Sequence, residues 1–167
     1  MAQPCTVSCS IVLMIPSVLE NAVATHPFVR GMSSAHLRIL TECAMFTRFD
    51  TGQTIFHAGE IANRFYLIQQ GKVSLENRSD ADGVITIQTI GAGDVLGWSW
   101  LFAPYYWHFN ACALEPTQAI FFYGTRLRER CEQDREFGYQ LMRRVSAVLI
   151  RRLQATLKES LRMAAGH

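Results

Sequence analysis

The chain has 167 residues, 49% of them hydrophobic and 18% charged, with a formal net charge of +2. That length suits one domain, and the composition excludes a disordered polyelectrolyte. The charge is unevenly placed: Arg126 to His167 holds 10 Lys+Arg against 5 Asp+Glu, while the first 125 residues hold 6 against 9. The basic tail reads as a solvated helix face, and no base-reading motif accompanies it.

Ile11–Ile15 is apolar, but no Lys or Arg precedes it and Pro16 interrupts it. It is too short to span a bilayer and lacks the basic start of a signal peptide. Residues 1–32 read as an N-terminal extension, carrying at most an extra packing helix. Cys5, Cys9, Cys43, Cys112 and Cys131 are odd in number and contain no CxxC pair, which fits reduced thiols in a cytoplasmic protein.

Ser33-Ser34 before AHLRILTECAMF predicts a capped helix with apolar Leu37, Leu40, Ala44 and Met45. The period then changes. Residues 47–50 read as extended, and strands are predicted at Thr54–Phe56, Phe65–Gln70, Lys72–Glu76, Val84–Ile90, Phe109–Leu114 and Gln118–Tyr123. Glycines punctuate them, and Asp80-Ala81-Asp82-Gly83 is a hairpin signal. Short strands with glycine turns predict a barrel or jelly roll over 33–125.

Gly91, Gly93 and Gly97 predict tight turning ahead of an aromatic run: Trp98, Trp100, Phe102, Tyr105, Tyr106, Trp107 and Phe109. A turn that opens a short helix here would present backbone N–H groups to an anion. Yet Gly91 to Ala113 contains no Arg, Lys or Glu.

Residues 126–167 read as helical. Arg126–Cys131 is a short helix, and Asp134 to about Met163 one long helix with an apolar stripe at Phe137, Leu141, Val145, Val148/Leu149, Leu153, Thr156/Leu157 and Leu161. About 30 residues at 1.5 Å each reach some 45 Å, more than one small roll covers. The far half needs another surface, and a homodimer through 134–163 is the expected solution.

Three segments, taken together, resemble the cyclic nucleotide-binding domain family of the Crp/Fnr type: Ile55–Gly71 (IFHAGEIANRFYLIQQG), Gly91–Leu101 with its GAGDVLG turn, and Val145–Thr156 (VSAVLIRRLQAT). The resemblance implies an α+β fold, an eight-stranded β-roll with flanking helices and a long C-terminal dimerisation helix. It also implies a small ligand in the roll, cyclic AMP or another, and a regulatory role through that helix with a protein partner.

The resemblance further places a candidate site at Gly97, Trp98, Ser99, Trp100, Phe109, Asn110, Arg152 and Thr156. The family has Glu where Trp98 stands and Arg where Phe109 stands, so both charged contacts are replaced by rings. Losing one charge-assisted bond to phosphate costs about 1.5–3 kcal/mol. Asn110 retains a side-chain donor, whereas strand alternation would turn His108 away. Arg152 and Thr156 match the purine side, while Leu157 replaces a Ser. Two readings stay open: the rings fill the roll as core, leaving a dimerising interaction scaffold, or they line a pocket for a flatter, less charged ligand.

Nothing in the sequence suggests an enzyme or a metal site. His26, His36, His57, His108 and His167 form no HExxH or His-x-His pair, and Ser99 lacks the glycine two residues later that a nucleophile elbow needs. After the long helix the sequence runs Ala164-Ala165-Gly166-His167, so no helix-turn-helix and no direct sequence-specific DNA binding is expected.

Overall fold

The computed structural model describes residues 10–79 and 83–166. Cys5, Cys9, Asp80-Ala81-Asp82 of the expected hairpin signal, and His167 lie outside the described residues.

Two short helices come first. Helix α1 spans Ser10–Thr25, followed by a single 3-10 turn at Pro27–Val29, and α2 spans Ser34–Glu42. The expected cap is present, since Ser33 Oγ accepts from the His36 N–H at 3.2 Å. Ala44 and Met45, read from sequence as part of that helix, belong instead to strand β1, Ala44–Phe49. Cys43 closes the helix, and pairing of β1 with β8 outweighs the continuing apolar period.

The strands follow in order: β2 Thr54–Phe56, β3 Arg64–Gln70, β4 Lys72–Ser79, β5 Gly83–Gly91, β6 Val95–Leu96, β7 Asn110–Ala113 and β8 Thr117–Tyr123. They form two four-stranded antiparallel sheets, β1-β8-β3-β6 and β2-β7-β4-β5. Gly91 ends β5, whereas Gly93 and Gly97 have φ of 85° and 83°. β6 is too short to have shown as a periodic signal.

The four apolar residues Phe65-Tyr66-Leu67-Ile68 are all buried because β3 is covered on both faces. Phe65 and Leu67, with Ile120 and Phe122 of β8, join a core shared with the helices. Tyr66 and Ile68, with Ala119 and Phe121, face the interior of the roll against Val73, Leu75, Ala111 and Ala113. One pair of strands therefore separates two cores.

Helix α3 spans Gly124–Gln133 and α4 spans Arg135–Ala165. Asp134 is the cap of α4 rather than its first turn, its Oδ1 accepting from the Phe137 N–H at 3.0 Å. Phe137, Leu141, Val145 and Val148 are buried in the core that the helices share with β3 and β8. Beyond them the stripe continues into solvent: Leu153, Leu157 and Leu161 are 59%, 53% and 69% exposed. No described helix is long and apolar enough to cross a membrane.

Candidate functional site

The roll mouth lies where β6, the turn after it and the lead-in to β7 converge. The Val95–Leu96 strand ends at Gly97, whose left-handed φ turns the chain toward Trp98 and one 3-10 turn at Ser99–Leu101. This single turn replaces the helix expected from sequence. Three residues align too few peptide dipoles to act as an anion-binding helix start.

Gly97 is also a point of close approach. A Cβ there would lie 2.7 Å from the Trp107 ring, so only glycine fits beneath it. Trp107 in turn stacks on Phe56, with ring centroids 3.9 Å apart and planes 11° from parallel. Its backbone is fixed by the Gly59–Glu60 turn: Trp107 N–H donates to the Glu60 carbonyl at 2.9 Å, and its carbonyl accepts from the Gly59 N–H at 2.8 Å. A stacked pair of this kind contributes about 0.5–1.5 kcal/mol beyond its burial.

The remaining space is lined by Phe56, Leu75, Gly97, Trp98, Ser99, Trp107, His108, Phe109 and Arg152. It amounts to about 20 Å³, room for about one water molecule. Small-molecule sites typically enclose about 300 Å³ or more. The roll is closed by its own side chains.

Of the residues read from sequence, Gly97, Trp98, Ser99, Phe109 and Arg152 come together at this cavity. The other three lie elsewhere. Trp100 belongs to the helix-side core, its ring 5.6 Å from that of Phe65 and its carbonyl accepting from Arg128. Asn110 pairs with Glu76 across the β4–β7 ladder, and its Oδ1 accepts from the Ala58 N–H at 3.0 Å. It thereby holds the turn after β2. Thr156 is exposed on α4, its hydroxyl donating to the Arg152 carbonyl one turn back. At this point the helix has passed the edge of the roll.

His108 is a correction. Alternation would send it away from Phe109, yet both line the cavity. The reason is that the β7 ladder begins only at Asn110 and the chain bends at residues 108 and 109. The His108 ring lies 5.5 Å from that of Trp98. Trp107, Phe56 and Leu75 were missed as site residues. Trp107 was within reach: counting back by twos from the inward Ala111 through Phe109 arrives at it.

Arg152 is the one guanidinium at the cavity. It is committed to the backbone, donating to the Val95 carbonyl. Burial holds it below its usual value, and Asp94 offsets that in part. No carboxylate lines the cavity, so nothing there would accept from a sugar hydroxyl as a family Glu would. Glu60 serves its own turn, its Oε2 accepting from the His57 N–H at 3.0 Å. Among the described residues no three His, Cys, Asp or Glu side chains gather as metal ligands.

Comparison with known proteins agrees with this architecture. Residues 46–134 match the family described as cyclic nucleotide-binding domain. The chain is 29% identical over 139 residues to a CRP-like cAMP-activated global transcriptional regulator of Mycobacterium tuberculosis (strain ATCC 25618 / H37Rv), covering 83% of this chain and 60% of the relative. It therefore spans less than two thirds of that regulator's length. A solved structure assigned to cyclic nucleotide binding, from Geobacter metallireducens GS-15, superposes with a TM-score of 0.71 at 28% identity, covering 83% of this chain and 97% of that one. A cyclic nucleotide-binding domain from Methylobacillus flagellatus KT gives a TM-score of 0.74 at 17% identity, over 90% and 84% of the two chains. With two antiparallel sheets rolled against a long terminal helix and the family match across the roll, the chain belongs to the cyclic nucleotide-binding domain family.

Proposed function

We propose that this protein is a non-enzymatic regulatory module that works as a homodimer through α4, with a roll closed against cyclic nucleotides by its own aromatic side chains. The observation that carries the reading is the Phe56–Trp107 stack under Gly97, which leaves about 20 Å³ where a ligand would sit. The Trp98 and Phe109 replacements point the same way, since they remove both the sugar acceptor and the phosphate cation that the family pattern supplies. The relatives are regulators, and one is described as cAMP-activated. A module of this lineage that no longer takes the nucleotide would act as an assembly or docking unit for a protein partner.

The dimer rests on α4. Its first half is buried in the chain's own core, and its second half continues the same apolar stripe with nothing among the described residues covering Leu153, Leu157 and Leu161. Pairing of two such stripes buries leucines from both helices. In light scattering after size exclusion, the protein is expected at twice its 18.9 kDa chain mass. Leu157→Glu is expected to elute at the single-chain mass with its β-rich circular dichroism intact. A wild-type protein of single-chain mass would contradict the dimer.

A second reading has one observation in its favour. His108, Trp98 and Arg152 stand together at the cavity, so a small planar ligand that displaced Trp98 would meet a ring, an imidazole and a guanidinium. In that case the protein is a ligand-gated sensor, and ligand entry shifts α4 through Arg152. A metabolite retained by native mass spectrometry and lost in Trp98→Ala would select this reading.

A further inference from the structure

A second group of arginines lies outside the roll cavity, where α4 packs on the Pro27–Val29 turn. Arg144 leaves α4 and crosses to the Pro27–Val29 turn, where its Nη1 donates to the carbonyls of Phe28 at 3.0 Å and Arg30 at 2.9 Å. Its Nε is buried and has no hydrogen-bond partner among the described residues. Burial and the like charge of Arg143 hold this guanidinium below its usual value.

Two clefts flank it. One, of about 410 Å³, is lined by Arg30, Gly31, Gln140, Arg143, Arg144 and Ala147. The other, of about 290 Å³, runs past Asp94 and Arg151. Both exceed the roll cavity many times over. Among the described residues the ion pairs are His36–Asp134, Arg130–Glu42 and Arg162–Glu159, so none of Arg30, Arg143, Arg144 and Arg151 is paired with a carboxylate. Between Glu136 and Glu159 helix α4 carries no acid at all, and Glu136 Oε1 accepts from Gln140.

We propose that the larger cleft, between the Pro27–Val29 turn and α4, binds a small polyanion of the diphosphate class. Three arginines line one open space whose volume suits a small molecule. The planar fork of arginine matches pairs of phosphate oxygens, and several cations around one space call for more than one negative charge. Bound there, the anion joins the N-terminal turn to the middle of α4, shortly before its exposed stripe begins. It would thus stiffen the helix at the point where dimer pairing starts. This site is independent of whether the roll is closed.

The test is calorimetric titration of the intact protein with inorganic pyrophosphate, with ADP in a parallel arm to separate a free from a nucleotide-borne diphosphate. The expected result is saturable binding and a rise in Tm. Arg143→Glu and Arg30→Glu, both at exposed positions, should each weaken binding by at least about tenfold. Lys72→Glu, an equal charge change on β4, should leave it unaltered. Absence of binding at millimolar pyrophosphate and ADP, or an equal loss in Lys72→Glu, would overturn the proposal.

Discussion

A single histidine shows how tightly the N-terminal segment is fastened to the roll. His26 is buried; its Nδ1 accepts from the Phe28 N–H at 3.2 Å, so its Nε2 carries the proton and donates it to the Ile68 carbonyl, also at 3.2 Å. Burial pulls its pKa below the ordinary 6.5, with Ile68 and Asp94 pulling partly back. The unfolded chain therefore takes up the proton first as pH falls. The stabilisation is fully present above about pH 6.5 and is lost as pH drops through that value toward the folded pKa. Urea midpoints measured at about pH 7.5 and 5.5 should fall for the wild type and change less for His26→Asn, which keeps an acceptor for Phe28 but cannot titrate. Equal slopes in the two proteins would show that this histidine does not carry the effect.

At the scale of elements, the closure of the roll is a contact between two turns, the one leaving β6 and the one entering β7. Gly97 and Trp107 should therefore be energetically coupled. Trp107→Ala is expected to cost about 3–5 kcal/mol. Gly97→Ala carries two penalties in the wild type, the left-handed φ and the clash with the indole. In a Trp107→Ala background only the first remains, about 1–2 kcal/mol. A double-mutant cycle by chemical denaturation measures the difference. If Gly97→Ala costs the same in both backgrounds, the indole does not close the roll by this contact.

The same elements explain what the sequence revealed and what it hid. The buried half of α4 is legible because Phe137, Leu141, Val145 and Val148 repeat at helical spacing. The β-roll is legible because both faces of β3 and β8 are apolar and glycines mark the turns. Gly97, Trp98, Ser99, Phe109 and Arg152 could be placed at one cavity through the resemblance. Trp107 is reached by counting back in twos from Ala111, but His108 is not, because residues 108 and 109 bend before the β7 ladder starts and break the alternation used to aim side chains. Asn110 was read as a donor to the ligand, but its side chain serves the Ala58 N–H, a long-range contact with no local signature. The arginine cleft was invisible for a similar reason: Arg30 and Arg143 meet only through the tertiary packing of the Pro27–Val29 turn on α4.

At the scale of the whole molecule, the chain joins a closed roll to a helix that is half core and half bare. The first feature argues against a cyclic nucleotide in the roll, and the second supports the proposed dimer. They are separable, since Trp107 touches the roll interior and Leu157 lies well beyond it. The most direct test of the closed roll is calorimetric titration of the purified wild-type protein with cyclic AMP, alongside its thermal melt. The account predicts no heat of binding and no shift in Tm up to millimolar nucleotide. Saturable micromolar binding, abolished by Arg152→Ala, would contradict it.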